Sequence, residues 1–149
     1  MGCLAPDESG CSVVNKRGEW IIVYNDNEPL ERVRYTIAHE LGHILLGHEL
    51  RAGFGHYRKA DGERKPIEET QADEFAVRVL APACVLWALD LHTADEISEV
   101  CRISYTAAKI RAERMDILYA RNKFLTSPLE KQVFEMFRPW IERQDNRKA

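Results

Sequence analysis

The sequence predicts an α+β protein, with a short strand-rich start followed by helices, and three observations carry that expectation. Residues 11–14 and 20–24 are rich in β-branched and aromatic side chains, and Asn15-Lys16-Arg17-Gly18 between them has the composition of a hairpin turn. From Val33 onward apolar residues recur at helical spacing rather than alternating. Residues 51–65 are rich in glycine and charge without that periodicity, so they are expected to form a mobile loop between two helices.

The first of those helices begins at the start signal Asn25, Asp26, Asn27 and Pro29 and stops at Gly47, just after Leu45 and Leu46. Val33, Ile37, Leu41, Ile44 and Leu45 form one apolar stripe along it. At about 100° per residue, His39 and His43 lie roughly 150° from the centre of that stripe, which predicts a core face and a separate histidine face.

The histidine face carries His39-Glu40-Leu41-Gly42-His43. Side chains at i and i+4 share a helix face with Cβ atoms about 5–6 Å apart, so one metal ion can bridge both rings. Glu40, rotated about 100° from His39, is placed to act as a general base beside the metal. Five residues alone also arise by accident, and the bland alternative is a pair of ordinary core or surface histidines. The helical context and a third ligand decide between them.

Catalytic zinc takes three protein ligands and keeps one position open. The segment from Pro66 to Pro82 predicts a second helix, with Pro66 in its first turn and Pro82 closing it after Val79-Leu80-Ala81. Glu69, Ala72, Asp73 and Ala76 share one face at i, i+3, i+4 and i+7. The two alanines permit close approach to the first helix, while Phe75 and Val79 are expected to reach toward the core. Glu68, Glu69, Asp73 and Glu74 compete as ligand, against the plain alternative of a solvated acidic face. Glu69 alone fits both the small-residue face and the spacing to Asp73, which is then placed to accept a hydrogen bond from the far nitrogen of a ligating histidine.

Two phrases together resemble the ImmA/IrrE-type metallopeptidases. They are Arg34-Tyr35-Thr36-Ile37-Ala38-His39-Glu40-Leu41-Gly42-His43-Ile44-Leu45-Leu46, and Glu69-Thr70-Gln71-Ala72-Asp73-Glu74-Phe75-Ala76 followed by Leu80-Ala81-Pro82. The resemblance implies a zincin-like core in which a small N-terminal hairpin packs on the active-site helices and flanks the cleft. It implies His39, His43 and Glu69 as zinc ligands and Glu40 as the catalytic carboxylate. It also implies a bacterial, phage or mobile-element protein, or a stress-response one, that cleaves a helix-turn-helix repressor or similar regulator. Tyr35 stands where the family usually has Phe and Ala81 where it usually has Met, and family members usually carry more chain ahead of the first strand. On this basis residues 1–90 are expected to form the metallopeptidase core and residues 91–149 a helical region packed on the same domain. An edge strand of the hairpin could hold an extended peptide by main-chain hydrogen bonds, with simple sheet packing as the alternative.

At 149 residues, 45% hydrophobic and 30% charged, the chain is long enough to bury its own core. A net charge of -3 gives no electrostatic case for nucleic acid or membrane as main partner. Neither a spanning segment nor a basic, apolar leader is seen at the start, and the expected location is the cytoplasm. Cys3, Cys11, Cys84 and Cys101 form no C-x-x-C pair and read as reduced thiols, pairing of Cys3 with Cys11 or metal binding by the two being the alternative.

In the loop, His56 and Tyr57 are candidates to stabilise an oxyanion or contact substrate, though exposed loop aromatics usually carry no such role. His48, just past Gly47, is read as a helix-end residue, and His92 has no evident partner. Thr93-Ala94-Asp95-Glu96 predicts a helix start, and Arg102-Ile103-Ser104 a turn into a further helix from Tyr105, so this region resembles half of a helix-turn-helix. Lys109, Arg111 and Arg114 could meet phosphates, but Ile97, Val100, Ile103, Ala107, Ile110 and Met115 read as a packing stripe and Asp95, Glu96, Glu99 and Glu113 dilute the basic face. Leu129, Val133, Phe134, Met136 and Phe137 are expected to bury against the body or a partner, and residues 141–149 to fray. Two rival functions remain: a binding protein that sequesters a transcription factor without cutting it, and a DNA-binding regulator using the C-terminal helices.

Overall fold

The β-branched start forms its hairpin. In the computed structural model, which describes Leu4 and residues 8–48 and 66–148, β1 (Gly10–Val14) pairs antiparallel with β2 (Trp20–Tyr24), with Ser12 opposite Ile22 and Val14 opposite Trp20. Asn15 closes the turn. Its N–H donates to the Glu19 carbonyl at 2.9 Å, and its side-chain Oδ1 accepts from the N–H groups of Arg17 and Glu19 at 2.8 and 3.0 Å. Gly18 supplies the left-handed step at φ 78° that a side chain resists.

The helix α1 spans Leu30–Leu45. Its asparagine-rich approach is a turn rather than a cap: Asn25 Oδ1 accepts from the Asn27 N–H at 3.0 Å, and Pro29 takes the N-cap position without a side-chain cap bond. At the other end Gly47, at φ 70°, reverses the chain. The Gly47 N–H donates to the Ile44 carbonyl and the His48 N–H to the His43 carbonyl, the paired bonds of a Schellman motif. The second helix, α2 (Ile67–Leu80), starts after Pro66 and stops short of Pro82.

Burial on α1 departs from the amphipathic reading. Val33, Ile37, Leu41 and Ile44 are only half-buried and Leu45 is 64% exposed, whereas Thr36, Ala38, His39, Glu40, Gly42 and His43 are buried. The reason is steric. The histidine face presents small residues at Ala38 and Gly42, and α2 meets it with Ala72 and Ala76, both without exposed surface. Backbones therefore approach closely on the polar side of the helix.

The chain divides into two compact units, Met1–Leu80 and Ala81–Ala149. In the first, α1 packs against α2 and against both strands. The second is helical: α3 (Ala83–Ala88), α4 (Ala94–Cys101), α5 (Tyr105–Arg121) and α6 (Pro128–Lys148). The α3 helix follows Pro82 at its N-cap. Thr93 and Glu96 form a full capping box on α4, Arg102 ends it in the left-handed region at φ 51°, and the Ser104 hydroxyl accepts from the Ala107 N–H to start α5. The core of this unit holds Leu86, Leu91, Ile97 and Met115, all fully buried.

Three expectations for this unit need correction. Ile110 is 60% exposed, while Arg111, one residue on, is buried and donates from Nε to the Ala81 carbonyl at 2.8 Å. Arg111 thus belongs to the packed side of α5 and is unavailable to phosphates. Leu129 and Met136 are 73% and 80% exposed, so they do not bury against this body. The α6 helix also runs through Pro139 to Lys148, with Ile141 buried, where fraying was expected. Among the described residues, no helix is long and apolar enough to cross a membrane. Cys11, Cys84 and Cys101 are buried; Cys3 lies outside the described residues.

Candidate metal centre

Two glycines let the site form. A Cβ on Gly10 would lie 2.4 Å from Thr36 Cγ2 and 2.8 Å from the Val23 carbonyl oxygen, so only glycine lets β1 lie against α1 there. Two residues along a strand advance about 6.6 Å, and four along a helix about 6 Å. Ser12 therefore falls over Glu40 as Gly10 falls over Thr36, and the Ser12 hydroxyl donates to Glu40 Oε2 at 2.7 Å. On the other side of α1, a Cβ on Gly42 would lie 3.1 Å from Phe75 Cδ1 and 3.3 Å from Ala72 Cα and O. This approach delivers Glu69, one turn before Ala72, to the histidines.

There the polar atoms converge. His39 Nε2 and His43 Nε2 are 3.0 Å apart; Glu69 places Oε2 3.4 Å from the first and Oε1 3.4 Å from the second. These three residues form the group able to hold a metal ion among the described residues. Glu68 is exposed, and Glu74 pairs instead with Arg78 at 2.8 Å. Asp73, half-buried, places Oδ1 2.9 Å from His39 Nδ1. The same oxygen accepts from the Tyr35 hydroxyl at 2.6 Å, and the Tyr35 ring stacks on His39 with centroids 6.1 Å apart.

The donor set fits a metal ion on geometry. Bonds of about 2.0–2.1 Å in a tetrahedron set ligand atoms about 3.3–3.4 Å apart. The two histidine nitrogens are 3.0 Å apart and each has a different Glu69 oxygen at 3.4 Å, separations close to those such an ion requires. A carboxylate oxygen 2.9 Å from His39 Nδ1 favours the tautomer with its hydrogen on that atom, which turns the Nε2 lone pair toward the cluster.

Titration behaviour agrees. Burial by itself pushes the His39 pKa down, but hydrogen bonds to Asp73 and Glu69 outweigh it and bring the value up from 6.5 to about 9. Glu69 is held far below the ordinary carboxylate range by its contacts with His39 and His43. Burial, then the bond to Asp73, keeps the Tyr35 hydroxyl well above its usual value. Without metal, the cluster holds a proton where a cation would sit.

Sequence reasoning gave Ser12, Tyr35 and Gln71 no role in the site and did not place His48 against His43. Tyr35 lies four residues before His39, so helix spacing alone places it on that face. His48 follows a C′ glycine, which folds it back onto the last turn: its Nδ1 is 2.9 Å from His43 Nδ1, and its Nε2 is 3.0 Å from Gln71 Oε1. His92 has a partner too, Asp90 Oδ1 at 2.8 Å, and it stacks on Tyr119 far along the chain from the cluster. His56 and Tyr57 lie outside the described residues.

Two histidines from one helix and a glutamate from the next make up a donor set able to hold a metal ion, and a second glutamate stands beside the first histidine, the residue set of a metallopeptidase-type site on an α+β scaffold. No curated protein and no solved structure matches this chain. The chain belongs to the Peptidase M78 family, whose model, described as the IrrE N-terminal-like domain, matches residues 6–113. The resemblance to ImmA/IrrE-type proteins read from the two sequence phrases is thereby borne out, as is the α+β class.

Proposed function

We propose that this chain is a zinc-dependent endopeptidase acting inside cells on a helix-turn-helix repressor or a similar transcriptional regulator. The observation that carries the reaction is the His39, His43 and Glu69 cluster with Glu40 buried next to it and engaged by Ser12. The substrate class rests on family resemblance, and the phage, mobile-element or stress-response setting rests on the same ground.

His39, His43 and Glu69 hold the ion, and Asp73 orients His39. When bound, zinc polarises a scissile carbonyl and makes water acidic enough to be deprotonated near neutral pH. Glu40 is assigned the proton transfers: it takes a proton from the attacking water and returns it to the leaving amine. Ser12 engages Oε2, so Oε1 is the oxygen assigned to that exchange. Burial around Glu40 limits competing solvent during the transfer. Arg111, inward-facing in the second unit, weakens the rival reading of a DNA-binding surface on α5.

The test is incubation of the zinc-loaded protein with a helix-turn-helix repressor encoded beside it, followed by intact-mass analysis of the products. Wild-type protein is expected to give two fragments of defined mass, and Glu40→Gln is expected to retain zinc and give none. Cleavage by Glu40→Gln at the wild-type rate overturns the role of Glu40. Stoichiometric repressor binding without any fragment overturns the peptidase assignment in favour of sequestration.

A further inference from the structure

We propose that His48 and Gln71 form an outer hydrogen-bond relay that fixes His43 in the tautomer a metal ion requires, which makes both of them positioning residues for the metal centre. The inference rests on the metal-ion reading of the His39, His43 and Glu69 cluster. It goes beyond that reading by giving His43 the outer support that Asp73 gives His39.

The relay begins in the backbone. Gly47 reverses the chain at the end of α1, and the His48 N–H donates to the His43 carbonyl at 3.1 Å. That bond sets one imidazole edge-on to the other, with ring centroids 5.0 Å apart at 71° and the two Nδ1 atoms 2.9 Å apart. At that distance one nitrogen carries a hydrogen and the other a lone pair; two lone pairs or two N–H groups would repel. The far side of His48 settles which. Gln71 Oε1, 3.0 Å from His48 Nε2, can only accept, so His48 is protonated on Nε2 and its Nδ1 bears the lone pair.

It follows that His43 donates from Nδ1 and keeps its own lone pair on Nε2. That atom faces His39 Nε2 at 3.0 Å and Glu69 Oε1 at 3.4 Å. Turning the Gln71 amide over would reverse each donor in the series and place a hydrogen on His43 Nε2, inside the cluster, where it would block a metal ion. The two ligand histidines are therefore supported unequally. His39 leans on a carboxylate, which cannot present a donor when ionised, and His43 leans on a neutral pair whose direction depends on one amide.

Losing an outer partner of a ligating histidine typically weakens metal binding by about 10–100-fold. His48 is half-buried and Gln71 exposed, so water substitutes in part and the effect falls at the lower end. The test measures Zn2+ dissociation constants of the full chain by competition with a chromophoric chelator, alongside the melting temperature of the metal-free protein. His48→Ala is expected to bind about tenfold more weakly and Gln71→Leu several-fold more weakly. Gln71→Glu, which keeps an acceptor, is expected to hold the wild-type value, and all three are expected to melt as wild type without metal. Constants within twofold of wild type for both His48→Ala and Gln71→Leu overturn the relay. So does a matching fall in metal-free melting temperature, which would mark the two residues as merely structural. A wild-type protein that takes up no zinc overturns the metal-ion reading itself, and the relay with it.

Discussion

A single methyl group at Gly42 tests whether the approach of α1 to α2 sets the metal centre. In Gly42→Ala the new Cβ would lie 3.1 Å from Phe75 Cδ1 and 3.3 Å from Ala72 Cα and O. Comfortable carbon contacts begin at about 3.5 Å, so something gives by a few tenths of an ångström. The Phe75 ring can turn, but the Ala72 backbone cannot move without carrying α2. Glu69 sits one turn before Ala72 and moves with it. Metal sites tolerate ligand displacements of only about 0.2 Å, so the shift is large enough to matter. Stability responds in two opposed ways: alanine for glycine within a helix gains up to about 1 kcal/mol, and overpacking costs about 1–3 kcal/mol. The expected net is a loss of roughly 1 kcal/mol in the metal-free protein, together with metal binding weakened at least about tenfold, equivalent to about 1.4 kcal/mol. Thermal unfolding with and without metal, combined with chelator competition, separates the two quantities. A variant that is more stable by about 1 kcal/mol and binds zinc as wild type would show that the contact between α1 and α2 has slack and does not set the metal centre.

Two other perturbations reach different parts of the site. Ser12→Ala removes a hydrogen bond to a carboxylate, which is worth about 1.5–3 kcal/mol; it is expected to lower kcat for peptide cleavage about tenfold or more and leave zinc affinity unchanged, and an unaltered kcat would dismiss Ser12. The metal-free protein should also lose stability as pH rises. The folded-state pKa of His39 is raised from 6.5 to about 9, so its contribution is complete below about 6.5 and disappears as pH climbs through about 9. A shift of that size corresponds to roughly 3 kcal/mol at most. Glu69 is depressed, so its share is present above about 4.5 and fades in more acidic solution. With zinc saturating, the trend above pH 6.5 should reverse, since the metal needs the proton off. Calorimetric unfolding at pH 6, 7.5 and 9 checks both signs, and a flat metal-free profile would contradict the paired reading of His39.

How much of this was legible in the sequence depends on the range of each interaction. Helix caps and turns are local, and Thr93, Ser104, Gly47 and the strands around Asn15 all sit where short-range chemistry put them. The histidine pair and Glu69 were legible because helix periodicity fixes faces, and the small residues Ala72 and Ala76 marked which face of α2 comes close. Burial was less legible. Periodicity assigns the core to the apolar stripe, yet Leu45 stands exposed and Glu40 is buried, because small residues rather than apolar ones decide how near two backbones can come. Ser12 could not be anticipated at all, since its contact with Glu40 joins residues 28 positions apart and depends on the exact pairing of two elements. Arg111 misled for a related reason: a guanidinium reads as a surface cation until a buried carbonyl, here that of Ala81, proves to be its partner.

The pleat of β1 makes the hairpin turn a remote control on the carboxylate. Side chains alternate along a strand, so Gly10 and Ser12 share the face that meets α1 while Cys11 and Val13 point the other way. A slip of one residue would bring a thiol or an isopropyl group to Glu40 in place of the hydroxyl and drive a Cβ into Thr36. The register is set at Asn15, whose backbone and side chain together close the loop to Glu19. Lengthening or shortening that exposed loop by one residue would therefore strip Glu40 of its donor while leaving His39, His43 and Glu69 in place. Under the proposed mechanism, a change of loop length at this point would alter proton transfer by Glu40 without touching the three metal-ligand candidates.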